Sequence, residues 1–345
     1  MTTLTTVPPP VVRPVPWHRL AWVAWRQSRT TLAAILGVVA LVVVYFAING
    51  HTIHSAYADW QACTPRRSSA CEFMSTNFHN EYGSTGLIGF VQVLLPGIVG
   101  AFAGAPILAR ELETGTFRYA WTQGVGRVRW AIALMVPGLV VSVAALAALG
   151  AVISWRYRPL AAAGITSRLD PSLFPSSNPA VIGWTLAAFA LGVLAGLVWR
   201  RVLPAVATTI ALWFGLAVLV SLTLRWHYVA PLTTTKLEVP STGMQVSQWW
   251  TRGGTHVSDS QLNQVLQDAG VHGTISSGNA HAQPAPGSKV ADPIQYLVHH
   301  GYTQWTSYQP NGRYWTFQWI EFGWLTAFAL LALGLSILLV RRRDG

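Results

Sequence analysis

The chain has 345 residues, of which 52% are hydrophobic and 10% charged, and its mean hydropathy is +0.38. Soluble domains carry about 25% charged residues, so an ordinary soluble protein is excluded, and seventeen tryptophans suit membrane–water boundaries. The formal charge of +11 does not indicate nucleic acid, because the arginines flank apolar runs and no recognition motif accompanies them.

Residues 1–16 contain "VPPPVVRPVP", whose prolines exclude a regular helix and leave a disordered or polyproline cytoplasmic tail. Residues 17–31 follow with "WHRLAWVAWRQSRT". On a helical wheel Arg19 and Arg26 share one face with His18 and Arg29, opposite Trp17, Leu20, Ala21 and Ala24. That pattern predicts an amphipathic elbow helix lying in the inner interface; an inner extension of the first span is the alternative. Six apolar runs then meet the length of about 20 residues that a helix needs to cross the hydrocarbon: 32–49, 86–109, 130–154, 181–199, 204–224 and 320–340. Only Arg200–Leu203 separate the fourth and fifth, which requires a tight helical hairpin, and Pro204 suits a first helical turn.

Arginine placement gives the orientation. With the N-terminus inside, the inner segments (1–31, 110–129, 200–203, 341–345) hold 13 Lys/Arg in 60 residues, against ten in 157 for the outer ones. The positive-inside rule places both termini in the cytoplasm, although Arg156, Arg158 and Arg168 pull mildly the other way. The only cysteines, Cys63 and Cys71, share the outer 50–85 connector. Their closeness and compartment point to a disulfide closing a small loop, with two unpaired thiols as the alternative.

The 225–319 connector is too long to lack structure of its own. Ser258 with Gln261 forms a capping-box pattern before the stripe Leu262, Val265, Leu266, Ala269. Asp292, Pro293 and Gly301 bound a second short helix. "YTQWTSYQPNGRYWTFQW" suits either a short hairpin turned at Pro310–Gly312 or an extended aromatic segment on the membrane. The fold expected is an all-α polytopic membrane protein: six transmembrane helices, an N-terminal amphipathic elbow helix and a small extracellular subdomain between helices five and six. Its parts are 1–16, 17–31, 32–224 with the connector 110–129, 225–319, and 320–345 with a basic cytoplasmic end.

That connector, "ARELETGTFRYAWTQGVGRVRW" with its flanks, gathers Arg110, Glu111, Glu113, Arg118, Arg127 and Arg129 beside Phe117, Tyr119 and Trp121. Large aromatics among charges in water suggest docking onto a partner. The pattern Arg110-Glu111-x-Glu113-x-Gly115-Thr116 between the second and third spans resembles the cytoplasmic connector of ABC-2 type permeases, the membrane subunits of ABC exporters. "WHRLAWVAWRQSR" resembles the elbow of that family, and "ARELETGTFRYAWTQ" and "YQPNGRYWTFQWIE" look most like its actinobacterial members. The resemblance implies a coupling helix seated in a groove of an ATP-binding cassette subunit. Glu111, Glu113, Gly115 and Thr116 match the motif that Arg110 opens; Phe117, Arg118, Tyr119 and Trp121 extend the docking surface. It also implies a second permease copy or a similar permease as partner, and a bacterial plasma membrane. The long 225–319 segment departs from the short extracellular hairpin of the family.

No G-x-x-x-x-G-K-[ST] loop occurs, so ATP and Mg are expected on the partner subunit, with no cofactor bound by this chain and no catalysis of its own. A proton-driven carrier would place ionisable residues within its spans; here only Glu321 approaches one, at its outer end. No catalytic motif or ligand-spaced cluster supports a membrane enzyme. An autonomous carrier or a ligand-sensing membrane protein remains the non-ABC alternative.

Overall fold

The computed structural model describes residues 16–65, 68–83, 86–117, 126–171, 173–236, 243–272, 275–276, 279–280, 283–284, 290 and 292–342. Among them, six helices are long and apolar enough to cross a membrane: Trp17–Ala62, Val91–Thr114, Arg127–Ala162, Ala180–Trp199, Val202–His227 and Asn311–Arg342. These are the six runs anticipated from hydropathy, most of them extended by a few residues at their ends.

The first helix corrects two expectations. Trp17–Ala62 is one unbroken helix of 46 residues, so residues 17–31 are helical but form no separate elbow. Nothing interrupts it: no proline occurs between residues 17 and 62. The same helix runs thirteen residues past 49, and Ser69–Tyr82 is also helical; the 50–85 connector is therefore largely a helical hairpin. Cys63 and Cys71 are disulfide-bonded across its turn, with Cα atoms 5.7 Å apart. Trp60 stacks on Phe78 at 5.7 Å, closing the two arms.

The fourth helix, Ala180–Trp199, is the core of the bundle. The second span crosses it at backbone contact: a Cβ on Gly192 would collide with the Gly100 carbonyl, and one on Gly100 with the backbone of Ala188. The small residues of "GIVGAFAGAP" and "ALGVLAGLVW" thus pack two spans of the same chain, the close approach that small residues allow in membranes. Gly100–Gly104 is a π-helical segment, as is Val220–Leu224 at the end of the fifth span.

Between the fifth and sixth spans lies the small subdomain expected there, and it contains a four-stranded sheet. Strands Leu232–Thr234, Tyr302–Gln309, Met244–Arg252 and Thr255–Val257 lie side by side in that order, all neighbours antiparallel. Trp249 and Trp305 face each other in register with rings parallel at 6.3 Å. Against the sheet pack the two expected helices. Asp259–Asp268 carries the full capping box of Ser258 and Gln261; Pro293–His299 is capped by Asp292, which accepts from the Ile294 amide at 2.8 Å. Trp250, Leu262, Leu266, Leu297 and Tyr302 make the core between them.

The hairpin expected at Pro310–Gly312 does not form. Tyr302–Gln309 already has a strand on each side, from 232–234 and 244–252. The chain instead turns through Asn311–Arg313 into the last helix, Tyr314–Arg342, six residues earlier than the expected boundary at 320. Its first turns bury Tyr314, Phe317, Gln318 and Glu321, a helical rather than alternating spacing.

Candidate functional site

At one end of the bundle the second span runs into the sequence motif and stops within it, after Thr114. Gly115 ends the helix in the left-handed conformation, φ +74°, which glycine adopts without steric cost. The motif side chains then bind one another. The Thr114 hydroxyl donates to the Arg110 carbonyl at 2.9 Å, and the Thr116 hydroxyl to Glu111 Oε2 at 2.6 Å. Phe117 turns back onto the main hydrophobic core.

Glu113 reaches furthest. Its Oε2 accepts the backbone N–H of Val202, the first residue of the fifth span, at 3.0 Å. An acceptor carboxylate at a helix N-terminus satisfies a free amide and complements the dipole. Thus a residue singled out for partner docking also ties the end of the second span to the short 200–203 connector. Arg110 and Glu111 line a small cavity of about 60 Å³ with Gln27, Ser28 and Thr31 of the first helix. Those three polar residues, on one face at i, i+1 and i+4, were not anticipated; their clustering among arginines and tryptophans was the available signal. Arg118, Tyr119 and Trp121 lie outside the described residues.

The opposite end of the bundle holds a buried polar network that no sequence motif marks. Arg225 and Glu321 are 1% and 0% exposed. The pair is bidentate: Nε donates to Oε2 at 3.1 Å and Nη2 to Oε1 at 3.0 Å. Trp184 Nε1 donates to Oε1 at 2.7 Å, and the Tyr228 hydroxyl to Oε2 at 3.2 Å. Tyr228 in turn accepts from Trp324 Nε1 at 2.9 Å. Burial, then the negative charge of Glu321, raises the Tyr228 phenol above its ordinary range. The Arg225 guanidinium lies 4.8 Å over the Phe174 ring. Gln318, one turn from Glu321, accepts from the Ala180 amide and donates to the Phe174 carbonyl. Helices four, five and six are therefore joined at this end by one carboxylate with four donors. The carboxylate is fully bonded, whereas Arg225 Nη1 is buried without a partner; removing either member of the pair strands the other in apolar surroundings.

Six candidate spans with a charged connector after the second define the class of a multi-pass membrane protein. The family described as ABC-2 membrane transporter related matches residues 36–225. The chain belongs to that family, and so is a multi-pass transporter permease that is not itself catalytic. No curated protein and no solved structure matches it.

Proposed function

We propose that the chain is the permease subunit of an ATP-driven exporter, moving its cargo by alternating access between paired six-helix bundles. It works as a homodimer or beside a similar permease, with two ATP-binding cassette subunits docked on the 110–129 connector. The observation that carries this is the Glu113–Val202 bond: a push on the connector reaches the second and fifth spans together. A ligand or partner shifts an equilibrium only through contacts that differ between states, and a connector fastened to two spans supplies such a contact. Arginine bias supports a cytoplasmic connector and cytoplasmic termini in a bacterial plasma membrane, with the 225–319 subdomain outside. The apolar spans suit a hydrophobic or amphipathic cargo.

The experiment is gentle detergent purification of the tagged chain from its native membrane, with mass spectrometry of what accompanies it. Recovery of an ATP-binding protein, lost on Glu111→Ala/Glu113→Ala while the permease still inserts, is the expected result. Recovery of the permease without an ATPase, even after cross-linking, would turn the assignment to an autonomous carrier or sensor.

A further inference from the structure

Away from the connector, the end of the third span, the 158–178 loop and the start of the sixth span enclose a cavity of about 420 Å³. That is within the usual range of small-ligand sites, about 300–1,000 Å³. Its lining carries two exposed guanidiniums, Arg158 and Arg168, and no acid among the described residues; Asp170, on the same loop, is not part of it.

Three polar side-chain atoms of the lining residues are buried with no partner in the protein. Thr166 Oγ1 is buried and unbonded. Asn178 commits its amide nitrogen to the Ala147 carbonyl at 2.9 Å, and its unbonded Oδ1 is packed against Gly150, which is not part of the lining; the Tyr157 hydroxyl is the third. Buried polar atoms are nearly always satisfied, so the unbonded Thr166 hydroxyl beside two arginines marks a place where the partner comes from outside the chain. The chemistry is mixed. Arg158 and Arg168 donate, whereas the Thr166 hydroxyl both donates and accepts. Trp315 lies at the rim and is 57% exposed, with Trp319 one turn on at 58%, the placement of an interfacial aromatic belt.

We propose that this cavity binds a phosphate ester bearing a hydroxyl group, its phosphate on Arg158 and Arg168 and its hydroxyl on Thr166. Guanidinium favours phosphate oxygens through paired, charge-assisted hydrogen bonds. Two sources supply such a group: a hydroxylated phospholipid headgroup held at the tryptophan rim, or a soluble phosphate ester.

The test uses the full-length chain in detergent with two probes, phosphatidylglycerol and soluble glycerol 1-phosphate, and phosphatidylcholine as the lipid control. Native mass spectrometry reads retained lipid, and calorimetry reads the soluble ester. The chain should retain phosphatidylglycerol over phosphatidylcholine, and Arg158→Gln/Arg168→Gln should lower that retention about tenfold. Arg158→Lys/Arg168→Lys should keep part of it. Both arginines are exposed, so the melting temperature should stay close to that of the parent. Glycerol 1-phosphate binding that needs the arginines, with lipid retention indifferent to them, upholds the site and assigns its ligand to the soluble source. Thr166→Val removes one donor at nearly constant shape and should weaken binding severalfold, a test that stands even where the double variant cannot be purified. Failure of the parent chain to bind either probe, or binding that ignores both the glutamine and the valine variants, overturns the proposal.

Discussion

Glu113 and Glu321 hold the fifth span at its two ends, and they do so by different physics. Glu113 is exposed and accepts a single backbone amide at the start of that helix. Glu321 is fully buried and takes two bonds from Arg225 at its far end, with Trp184 and Tyr228 completing the shell. Between these ties the fifth span is thinly packed: 22% of its apolar window is buried, against 78% for the fourth. A helix-capping contact in water contributes about 1 kcal/mol, whereas stripping one partner from a buried ion pair costs about 3–5 kcal/mol. The fifth span is thus anchored firmly at the sheet end and lightly at the connector end. A partner working on the connector meets the weaker of the two ties.

The comparison breaks if the ends prove equal. The largest effect is expected from Glu321→Ala, which leaves Arg225 buried and unpaired. It should lower stability by about 3–5 kcal/mol, read as thermal unfolding in detergent, and Arg225→Leu/Glu321→Leu should recover much of the loss. Gly192→Val comes next. It sets a side chain against the Gly100 carbonyl and should cost about 1–3 kcal/mol by overpacking, on the same assay. Glu113→Ala should cost about 1 kcal/mol or less while speeding hydrogen exchange at Val202. A loss as large as that of Glu321→Ala would refute the asymmetry. The smallest effect concerns pH. Since the folded state raises the Tyr228 phenol, it favours the neutral form. Its contribution is fully present below the ordinary phenol value of about 10 and falls away as pH rises through the higher folded value. Tyr228→Phe should flatten the stability profile from the ordinary phenol value of about 10 upward, as followed by alkaline titration of thermal unfolding.

Sequence carried some of this plainly. Six spans follow from apolar length, and the caps at Ser258 and Asp292 follow from local chemistry, because both signals lie within a few neighbouring residues. Which face meets protein is another matter. The first and fourth spans have mean hydropathies of 2.7 and 2.2, yet 17% and 78% of their windows are buried; hydrocarbon and protein interior reward the same side chains. The glycines of the fourth span were the better guide, since only backbone contact explains them at Gly192. The sheet was hidden because Trp249 pairs with Trp305 across a long sequence separation, and a strand with polar and aromatic alternation gives little local signal. Arg225 and Glu321, 96 residues apart, were visible as charges beside spans but not as a pair. At the connector the motif named Glu113, while its bond to Val202 required the hairpin to be folded.

The π-helical segment at Val220–Leu224 has a consequence for how this chain tolerates changes of length. A π turn holds one residue more than an α turn while leaving the helix on either side in phase. Arg225 follows immediately and points at Glu321. Deleting one residue within 220–224 can therefore tighten the turn to regular α-helix and leave the ion pair aligned. The same deletion between 205 and 215 has no such slack to draw on, and would rotate all that follows by about 100°, carrying Arg225 away from its carboxylate. The extra residue is a length reserve placed directly before the one charge of this helix that cannot be turned.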